Sequence, residues 1–308
     1  MLTAYQNLNR DQQRRVIFAL TNRGFASELN NLLSAILYCL DEGIEFRMQS
    51  RWWTGKHDRG WEDYFLPFCQ ENNHWFDRRP SVWSTNLPRR AVDWAHRAVM
   101  PNRLLAHDIF ELLRGEEFAA RRFAIPELGI DGDVFEAKQK ILGMVYRHND
   151  EVERSLQAHS EMLKRIKPFV SVHVRRGDKV APKTWEADAI PVEDYIAEIR
   201  RVAPETRRVF VATDDYSGLK AFQARCPSAW EVFSLCPKEN RGYVHLDFGA
   251  ERSDLKKQQM LLLFSDLHFL RNSERFIGTY SSNISRLMAL FLGRERCHSL
   301  DKKEWFAR

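Results

Sequence analysis

The second half of the chain repeats one pattern, in which a short strand-like run ends in a polar turn and a helix follows. Runs rich in β-branched and aromatic residues predict strands at Phe169–Val174, Arg208–Ala212 and Glu231–Phe233. Apolar residues at helical spacing predict the intervening helices at Val192–Arg201 and Gly218–Arg225. Because strands that alternate with helices form parallel sheets, this pattern constrains the second half to an α/β fold.

The pattern continues towards the end of the chain. Helical spacing predicts a long helix over Lys256–Leu270, followed by a strand at Arg275–Gly278 and a further helix that runs through Leu292. The long helix carries two polar residues near its end, Asp266 and His268. A further strand with its covering helices therefore extends the predicted sheet.

Three of the predicted strands run into polar residues at their carboxyl ends. These junctions are His173–Lys179, Ala212–Asp215 and Thr279–Asn283. The carboxyl ends of strands in open α/β sheets face the ligand crevice, and a helix N-terminus there can hold an anion. Paired guanidinium groups, here those of Arg175 and Arg176, offer forked donors for phosphate oxygens. The three junctions together predict a site for a diphosphate-bearing ligand.

Structural roles for the same residues stay open at this point. An ion pair with a neighbouring aspartate would explain the two arginines without any ligand. N-capping of the following helix would explain Ser281 and Ser282, and His173 suits a protein core. The aspartates available for such ion pairs are Asp178, Asp214 and Asp215.

The first half begins with a strand, a glycine-containing turn and a helix. Val16–Leu20 predicts the strand, Thr21–Ser27 the turn and Leu29–Leu40 the helix, and Ile44–Met48 predicts a second strand. Strand, glycine turn and helix make up half of a nucleotide-binding βαβ unit.

A tryptophan-rich stretch and a charged helical stretch complete the first half. Arg51–Arg103 contains six of the nine tryptophans without a clear period, which predicts short helices and loops whose aromatic residues mostly cover a core. Asp133–Lys167 has helical periodicity and many charges, and it leads to Pro168, where the pattern changes. We therefore predict two domains, residues 1–167 and 168–308.

Composition and charge narrow the classes of protein to consider. The 308 residues carry a formal net charge of +5 with arginines scattered along the chain, which favours an anionic small ligand over nucleic acid. The beginning of the chain lacks an apolar signal core and no run is long enough to span a bilayer, so we predict a cytoplasmic protein. The five cysteines form no CxxC pair and the histidines no HExxH pattern, so we expect neither a disulfide framework nor a metal site.

The polar junctions resemble sequence motifs of the α1,6-fucosyltransferases. This family includes the core fucosyltransferase of animal N-glycans and the bacterial nodulation fucosyltransferase. The segment HVRRGDK at His173–Lys179 resembles the family's HxRRxDK motif. Further matches follow in the family's order along the chain. They are VFVATDD at 209–215, DLHFL at 266–270, TYSSN at 279–283 and HSLD at 298–301.

In the first half, Gly24–Leu29 resembles the family's GYGxQL loop, with Ala26 in place of a glycine and Glu28 in place of a glutamine. The resemblance implies an α/β fold of GT-B type, in which two Rossmann-like domains face a cleft, the second domain binds GDP-fucose and the first forms the acceptor side. It also implies an inverting transfer of L-fucose from GDP-fucose to a glycan hydroxyl, of α1,6 type, with no metal or other cofactor.

The matched motifs also imply roles for individual residues. Arg175 would bind the β-phosphate and stabilise the departing GDP, and Arg176 would support the same region. His173 and Asp266 would contact the guanine. The remaining donor-binding residues would shape the pocket floor or hold phosphate oxygens, and they are Gly24, Asp178, Asp214, Asp215, Ser281, Ser282 and Asn283.

A general base is needed beside these groups, because an arginine cannot remove a proton from the acceptor hydroxyl. Glu186 lies at the same distance before Tyr195 as the family's proposed base lies before its motif tyrosine. Lys179 would assist it as a charge relay, and Asp188 is the alternative base. A short insertion around Pro182–Trp185 separates Lys179 from Glu186 more widely than in the family.

Other functions stay open at this stage. An enzyme like the protein O-fucosyltransferases, or a transferase of another GDP-sugar, would use the same junctions. A catalytically silent nucleotide-sugar binding module would explain the altered loop after Gly24 and the displaced Glu186. The positive net charge alone suggests a nucleic-acid-binding protein, for which the affinity would depend steeply on salt.

Overall fold

The structure is a computed structural model, and it describes residues 1–10, 12–74, 94–95, 98, 100, 102–176 and 189–302. Within these residues the chain divides into two compact units. The first covers Met1–Glu151 and the second begins at Val152.

The first unit is built on a three-stranded parallel sheet. Its strands are β1 (Arg15–Ala19), β2 (Glu45–Gln49) and β3 (Arg103–Leu105). Their order is β2–β1–β3, so β1 occupies the centre, and Val16–Ala19 are buried as expected for a strand covered on both faces. The helix after β1, α2 (Phe25–Asp41), buries Leu29, Leu32, Leu33 and Ile36 along one stripe. The predicted strand, turn and helix are thereby confirmed.

The first unit also contains an antiparallel hairpin that the sequence analysis did not predict. It pairs β4 (Arg122–Ile125) with β5 (Ile130–Asp133), and Gly129 closes the turn with a φ of 63°, a left-handed conformation that suits glycine. The other helices described here are α1 (Leu2–Leu8), α3 (Ala106–Arg114), α4 (Glu116–Ala119), α5 (Val134–Val145) and α6 (Asp150–Gln157), the last of which crosses the boundary between the units.

Two tryptophans of the aromatic-rich stretch contribute to the core of the first unit. Trp53 and Trp61 are each 2 % exposed. Trp61 stacks on Phe65 with ring centroids 4.3 Å apart, and Trp53 meets Tyr64 edge to face at 5.9 Å. The structural role predicted for most of these tryptophans is confirmed at these two positions, whereas the ring of Trp94 is exposed.

The second unit is built on a five-stranded sheet whose strands are all parallel. The strands are β6 (Val170–Val174), β7 (Arg208–Thr213), β8 (Glu231–Phe233), β9 (Arg275–Gly278) and β10 (Cys297–Ser299). Their order is β10–β9–β6–β7–β8. The predicted strands β6 to β9 are confirmed, and β10 is an edge strand that the sequence analysis did not predict.

Helices cover both faces of this sheet. They are α7 (Ser160–Ile166), α8 (Val192–Val202), α9 (Tyr216–Arg225), α10 (His245–Ala250), α11 (Ser253–Arg271) and α12 (Asn283–Leu292). On one face, Ile199 of α8 and Phe222 of α9 join the cluster around Val172 and Val211. Elsewhere in the sheet, Phe210 of β7 stacks on Phe269 of α11 with ring centroids 4.5 Å apart.

The two units divide between Glu151 and Val152, whereas the sequence analysis placed the domain boundary near Lys167–Pro168. Side-chain contacts show why α7 groups with the second unit. The guanidinium of Arg165 lies 5.5 Å from the ring of Phe233, and His159, just before α7, meets Phe269 edge to face at 5.7 Å. None of the helices in the described residues combines the length and the apolar character that a bilayer-spanning segment requires.

Candidate functional site

The strand order of the second unit creates a switch point between β6 and β9. From β6 the sheet grows through β7 and β8 on one side and through β9 and β10 on the other. Ligands of open α/β sheets bind at such a point, outside the carboxyl ends of the strands. The pairing of Val174 with Thr213 and of Val172 with Ile277 brings the ends of β6, β7 and β9 to one edge. All three predicted polar junctions therefore begin at this edge.

A histidine and a serine meet at the switch point. The Oγ of Ser282, which follows β9, lies 3.4 Å from Nδ1 of His173 near the end of β6. Ser282 is fully buried, and as the N-cap of α12 it forms no side-chain capping hydrogen bond, so its hydroxyl faces the histidine instead. Burial and, to a smaller extent, the charge of Arg175 lower the pKa of His173 to about 3, so the ring is neutral at physiological pH.

The two arginines after β6 point to different surroundings. The charge of Arg175 acts on both His173 and Asp214 and favours a lower pKa at each, although burial keeps the pKa of Asp214 above its ordinary value. The side chain of Arg176 lies along α9, where a Cβ on Gly218 would be only 3.5 Å from its Cγ. Its charge also acts on the buried Tyr195 of α8. The two arginines therefore act on different residues, Arg175 on those at the switch point and Arg176 on those of α8 and α9.

Asp214 ties together the segments that follow three strands. Its carboxylate accepts hydrogen bonds from the backbone N–H of Arg176 at 2.9 Å and of Tyr243 at 3.1 Å. Its carbonyl accepts the N–H of Gly242 at 2.9 Å. Burial raises the pKa of Asp214 above its ordinary value although these hydrogen bonds counteract it. Asp214 thus builds the surface below the switch point rather than offering a free carboxylate to it.

The neighbouring Asp215 is occupied locally. Its carboxylate caps α9 by accepting the N–H of Ser217 at 2.8 Å and the hydroxyl of the same serine at 2.7 Å. Asp215 is therefore the N-cap of α9, a role that the sequence analysis did not assign to it.

Asp266 of α11 is the one predicted donor-site carboxylate, among those the structure describes, with a buried and unpaired oxygen. Its Oδ1 has no hydrogen-bond partner among the described residues. Burial raises the pKa of this carboxyl to about 8, because an unpaired charge is poorly solvated there. A buried acceptor of this kind is stabilised by a ligand that brings N–H donors to it.

Two residues that follow β8 escaped the sequence analysis, and a third, Asp301, was matched only as part of the HSLD segment. Cys236 and Tyr243 follow β8, and their position after a predicted strand was the available signal. Burial, together with the charges of nearby aspartates including Asp266, raises the pKa of the Cys236 thiol to about 11. Asp301, just beyond β10, accepts the N–H groups of Tyr280 and Ser281 and so holds the loop between β9 and α12.

The glycine turn of the first unit has a different character. Gly24 is the exposed N-cap of α2 with a φ of −61°, and a Cβ added there would meet no atom of the described residues within 4 Å. The buried Glu28 accepts the N–H of Thr21 at 2.8 Å and its hydroxyl at 2.6 Å. Burial raises the pKa of Glu28, although the hydrogen bonds from Thr21 counteract it. The glutamate that stands where the family has a glutamine therefore closes its own loop.

Several predicted residues lie outside the described part of the chain. These are Asp178, Lys179 and Glu186, together with the alternative base Asp188. Within the described part, no three histidine, cysteine, aspartate or glutamate side chains group as a metal site would require.

Comparisons with known proteins agree with this geometry. A sequence profile described as "Alpha-(1,6)-fucosyltransferase N- and catalytic domains" matches residues 134–292, just over half of the chain. The fucosyltransferase NodZ from Bradyrhizobium superposes with a TM-score of 0.56 at 17 % identity, over 92 % of this chain and 94 % of its own. NodZ α-1,6-fucosyltransferase soaked with GDP-fucose gives 0.56 at 16 % identity, over 91 % and 93 % of the two chains.

A mutant of FUT1 from Arabidopsis thaliana in complex with GDP has a TM-score of 0.51 at 10 % identity, over 94 % of this chain and 72 % of its own. At these identities the superpositions establish the fold, and the predicted α/β architecture of GT-B type is confirmed. The profile match and the shared fold point to the same conclusion, namely that this chain is a glycosyltransferase and belongs to the α-(1,6)-fucosyltransferase family.

Proposed function

We propose that this chain transfers L-fucose from GDP-fucose to a glycan hydroxyl, forming an α1,6 linkage with inversion at the anomeric carbon. The observation that carries the proposal is the convergence of Arg175, His173 and Ser282 at the switch point between β6 and β9. It is supported by the family profile and by the fold shared with a NodZ structure soaked with GDP-fucose.

The leaving group explains the positive charge at this edge. When the bond between fucose and phosphate breaks, negative charge develops on the GDP. The guanidinium of Arg175 and the N-terminal N–H groups of α12 would stabilise that charge without reorganisation, with Ser281, Ser282 and Asn283 near the phosphate oxygens. Because the protein supplies this positive charge itself, we propose that the transfer proceeds without a metal ion.

The guanine would bind beside Asp266 and His173. Guanine presents the N1–H and the amino group on one edge, and these donors match the unpaired Oδ1 of Asp266. The neutral ring of His173 would pack or hydrogen-bond near the same ligand, because burial keeps it uncharged. Arg176, Asp214 and Asp215 would support this pocket from below through the contacts described above.

The acceptor side and the general base rest on the family resemblance. We propose that the first unit contributes the acceptor side, that the second unit binds the donor, and that Gly24 takes part in donor binding, as the family resemblance implies. Glu186 would remove the proton from the acceptor hydroxyl with Lys179 as a charge relay, while Asp178 would belong to the donor site.

Calorimetric titration and a transfer assay test the proposal directly. Titration with GDP, GDP-fucose, GDP-mannose and UDP-glucose should show binding of the guanine nucleotides and none of UDP-glucose. Transfer of labelled fucose to a panel of glycans should continue in the presence of EDTA. Binding that does not depend on guanine would contradict the proposal, and donor binding with neither transfer nor hydrolysis would identify a silent binding module. Transfer from GDP-mannose, or to a protein hydroxyl alone, would assign the alternative activities.

A further inference from the structure

Asp301, just beyond the end of β10, holds the loop between β9 and α12 through hydrogen bonds. Its Oδ1 accepts the backbone N–H of Tyr280 at 2.6 Å, and its Oδ2 accepts that of Ser281 at 3.0 Å. The hydroxyl of Ser299 donates to Oδ1 at 2.8 Å. One carboxylate therefore fixes two consecutive N–H groups of the loop, although it lies 20 residues further along the chain.

The charge state of Asp301 suits this grip. Burial raises the pKa of the carboxyl, but the hydrogen bonds from Ser281, Ser299 and Tyr280 outweigh it and hold the pKa below its ordinary value. The group is therefore ionised throughout the neutral range. Hydrogen bonds from N–H groups to an ionised carboxylate are shorter and stronger than those between neutral partners.

The opposite side of the loop is held as well. Arg286 of α12 donates from Nε to the carbonyl of Tyr280 at 2.8 Å, and its guanidinium lies 4.3 Å from the centre of the Tyr280 ring. At the start of the loop, Gly278 packs so closely that a Cβ would meet the Oγ of Ser285. The loop has contacts on both sides that specify one conformation.

That conformation sets what the loop presents at the switch point. Immediately after the gripped residues comes Ser282, whose hydroxyl lies 3.4 Å from His173, and then the first turn of α12. The first N–H groups of an α-helix have no partner within the helix and can bind an anion. Asp301 takes up the N–H groups of Tyr280 and Ser281, and the carbonyl of Thr279 accepts that of Ser282 at 3.0 Å. The backbone groups that meet an anion at this junction are therefore those of the first turn of α12.

We propose that Asp301 is a positioning residue for the diphosphate of the donor. It holds the β9–α12 loop so that Ser282 and the N-terminus of α12 meet the phosphate oxygens, and it does not touch the ligand itself. This inference rests on the proposed donor site, and it adds a residue from outside that site which sets its phosphate affinity.

Asp301→Asn tests the role, because asparagine keeps the size of the side chain but removes its charge and one acceptor oxygen. Calorimetry with GDP and inhibition by guanosine separate the diphosphate from the base. We expect about tenfold weaker GDP binding, a corresponding rise in the KM for GDP-fucose, and unchanged inhibition by guanosine. Asp254→Asn is the matched control, since Asp254 forms an exposed ion pair with Arg252 and should leave all three values unchanged.

Equal losses for GDP and guanosine would show a general structural role and overturn the inference, as would unchanged GDP binding. If Asp301→Asn does not fold, Ser299→Ala removes one hydrogen bond from the same carboxylate and should weaken GDP binding severalfold without affecting guanosine. If the unmodified protein binds guanosine but gains nothing from the diphosphate, the inference is wrong while a nucleoside site remains. If it binds neither, the proposed function itself is wrong and the inference falls with it.

Discussion

Two strand-to-helix junctions, one in each unit, pair the polar groups of their turns in different ways. At the β1–α2 junction of the first unit, Glu28 folds back from the helix and takes up both the N–H and the hydroxyl of Thr21. At the β9–α12 junction of the second unit, the loop is held from outside by Asp301, and the hydroxyl of Ser282 remains turned towards His173. A junction that satisfies its own polar groups has little left for a ligand, whereas one held from outside keeps its groups available.

The two units also differ in how a buried carboxyl is paired. In the first unit the buried Glu28 of the junction is paired, whereas in the second unit Oδ1 of Asp266 in α11 has no hydrogen-bond partner among the described residues. Native proteins rarely leave buried polar groups unsatisfied without a functional reason. Asp266 is therefore a candidate for ligand contact, and substitutions at the two junctions and at Asp266 should produce different kinds of effect.

The largest effect is expected for Arg175→Lys. Lysine keeps the charge but loses the planar fork of donors, so stabilisation of the departing diphosphate should fall and kcat should drop by about 10²–10³-fold. Labelled-fucose transfer measures the rate, and thermal denaturation should show an unchanged midpoint. Arg207→Lys is the matched control, because Arg207 is exposed and its guanidinium donates to the backbone carbonyls of Pro204 and Thr206. Full activity of the Arg175→Lys protein would remove the guanidinium from the mechanism.

Asp266→Asn should lower the affinity for GDP and raise the stability of the ligand-free protein. Loss of the carboxylate should weaken GDP binding by about tenfold to a hundredfold, as expected for hydrogen bonds to a charged group worth about 1.5–3 kcal/mol. Inosine diphosphate, which lacks the amino group of guanine, provides the matched ligand. The unmodified protein should prefer GDP to inosine diphosphate, and the variant should bind the two alike. A preference for GDP that survives in the variant would place the guanine elsewhere.

The pH dependence of the same carboxyl has a defined sign. Its folded pKa, about 8, lies above that of the unfolded chain, so the ligand-free protein should lose stability as the pH rises from about 4 to about 8 and change little above that range. Asp266→Asn should remove this slope and stabilise the ligand-free protein near neutral pH by about 1–3 kcal/mol. GDP should bind more tightly as the pH approaches 8 and release a proton on binding below it. Thermal melts and calorimetry in buffers of different ionisation enthalpy measure both quantities.

Much of the second unit could be predicted from the sequence because its signals are local. The strands β6, β7 and β9 are short β-branched runs that end in polar turns, and their predicted bounds agree with the structure to within a residue or two. β10 could not be predicted, since Cys297–Ser299 has no alternation and becomes a strand only by pairing with β9. The hairpin β4–β5 did leave a signal, an alternating run followed by glycine, that the sequence analysis did not use.

In the candidate site, too, local signals could be read from the sequence and contacts between distant segments could not. Residues that directly follow a predicted strand, such as Arg175 and Asp214, could be found from the sequence. The separate tasks of the two arginines could not, because they depend on the packing of Arg176 against Gly218 in α9. Asp301 belongs to the HSLD segment that resembles a family motif, but its contact with the β9–α12 loop could not be predicted, since it depends on the β9–β10 pairing.

In the first unit, Glu28→Ala should affect stability and not donor affinity. The buried N–H and hydroxyl of Thr21 would lose their acceptor, which should cost about 1–3 kcal/mol in the free energy of unfolding. Glu28→Gln keeps an acceptor oxygen and should retain most of that stability. Because burial raises the pKa of Glu28, its stabilising contribution is largest below its unfolded pKa and declines as the pH rises through the folded one; the glutamine variant should lack this decline. Denaturant unfolding measures these changes, and a large loss of GDP affinity in either variant would break the contrast between the two junctions.

The smallest effect is expected for Gly24→Ala, and it decides whether the first junction touches the donor at all. With a φ of −61° and no atom of the described residues within 4 Å of an added Cβ, alanine fits without strain and should stabilise the protein by about 0.4–1 kcal/mol by restricting the unfolded chain. None of the described residues lies within 4 Å of the added methyl group, so a change in KM would report contact with a ligand. We expect the KM for GDP-fucose to rise severalfold while kcat and the KM for the acceptor stay unchanged. An unchanged KM for the donor would remove Gly24 from the donor site and confine donor recognition to the second unit, whereas a rise in the KM for the acceptor alone would assign the turn to the acceptor.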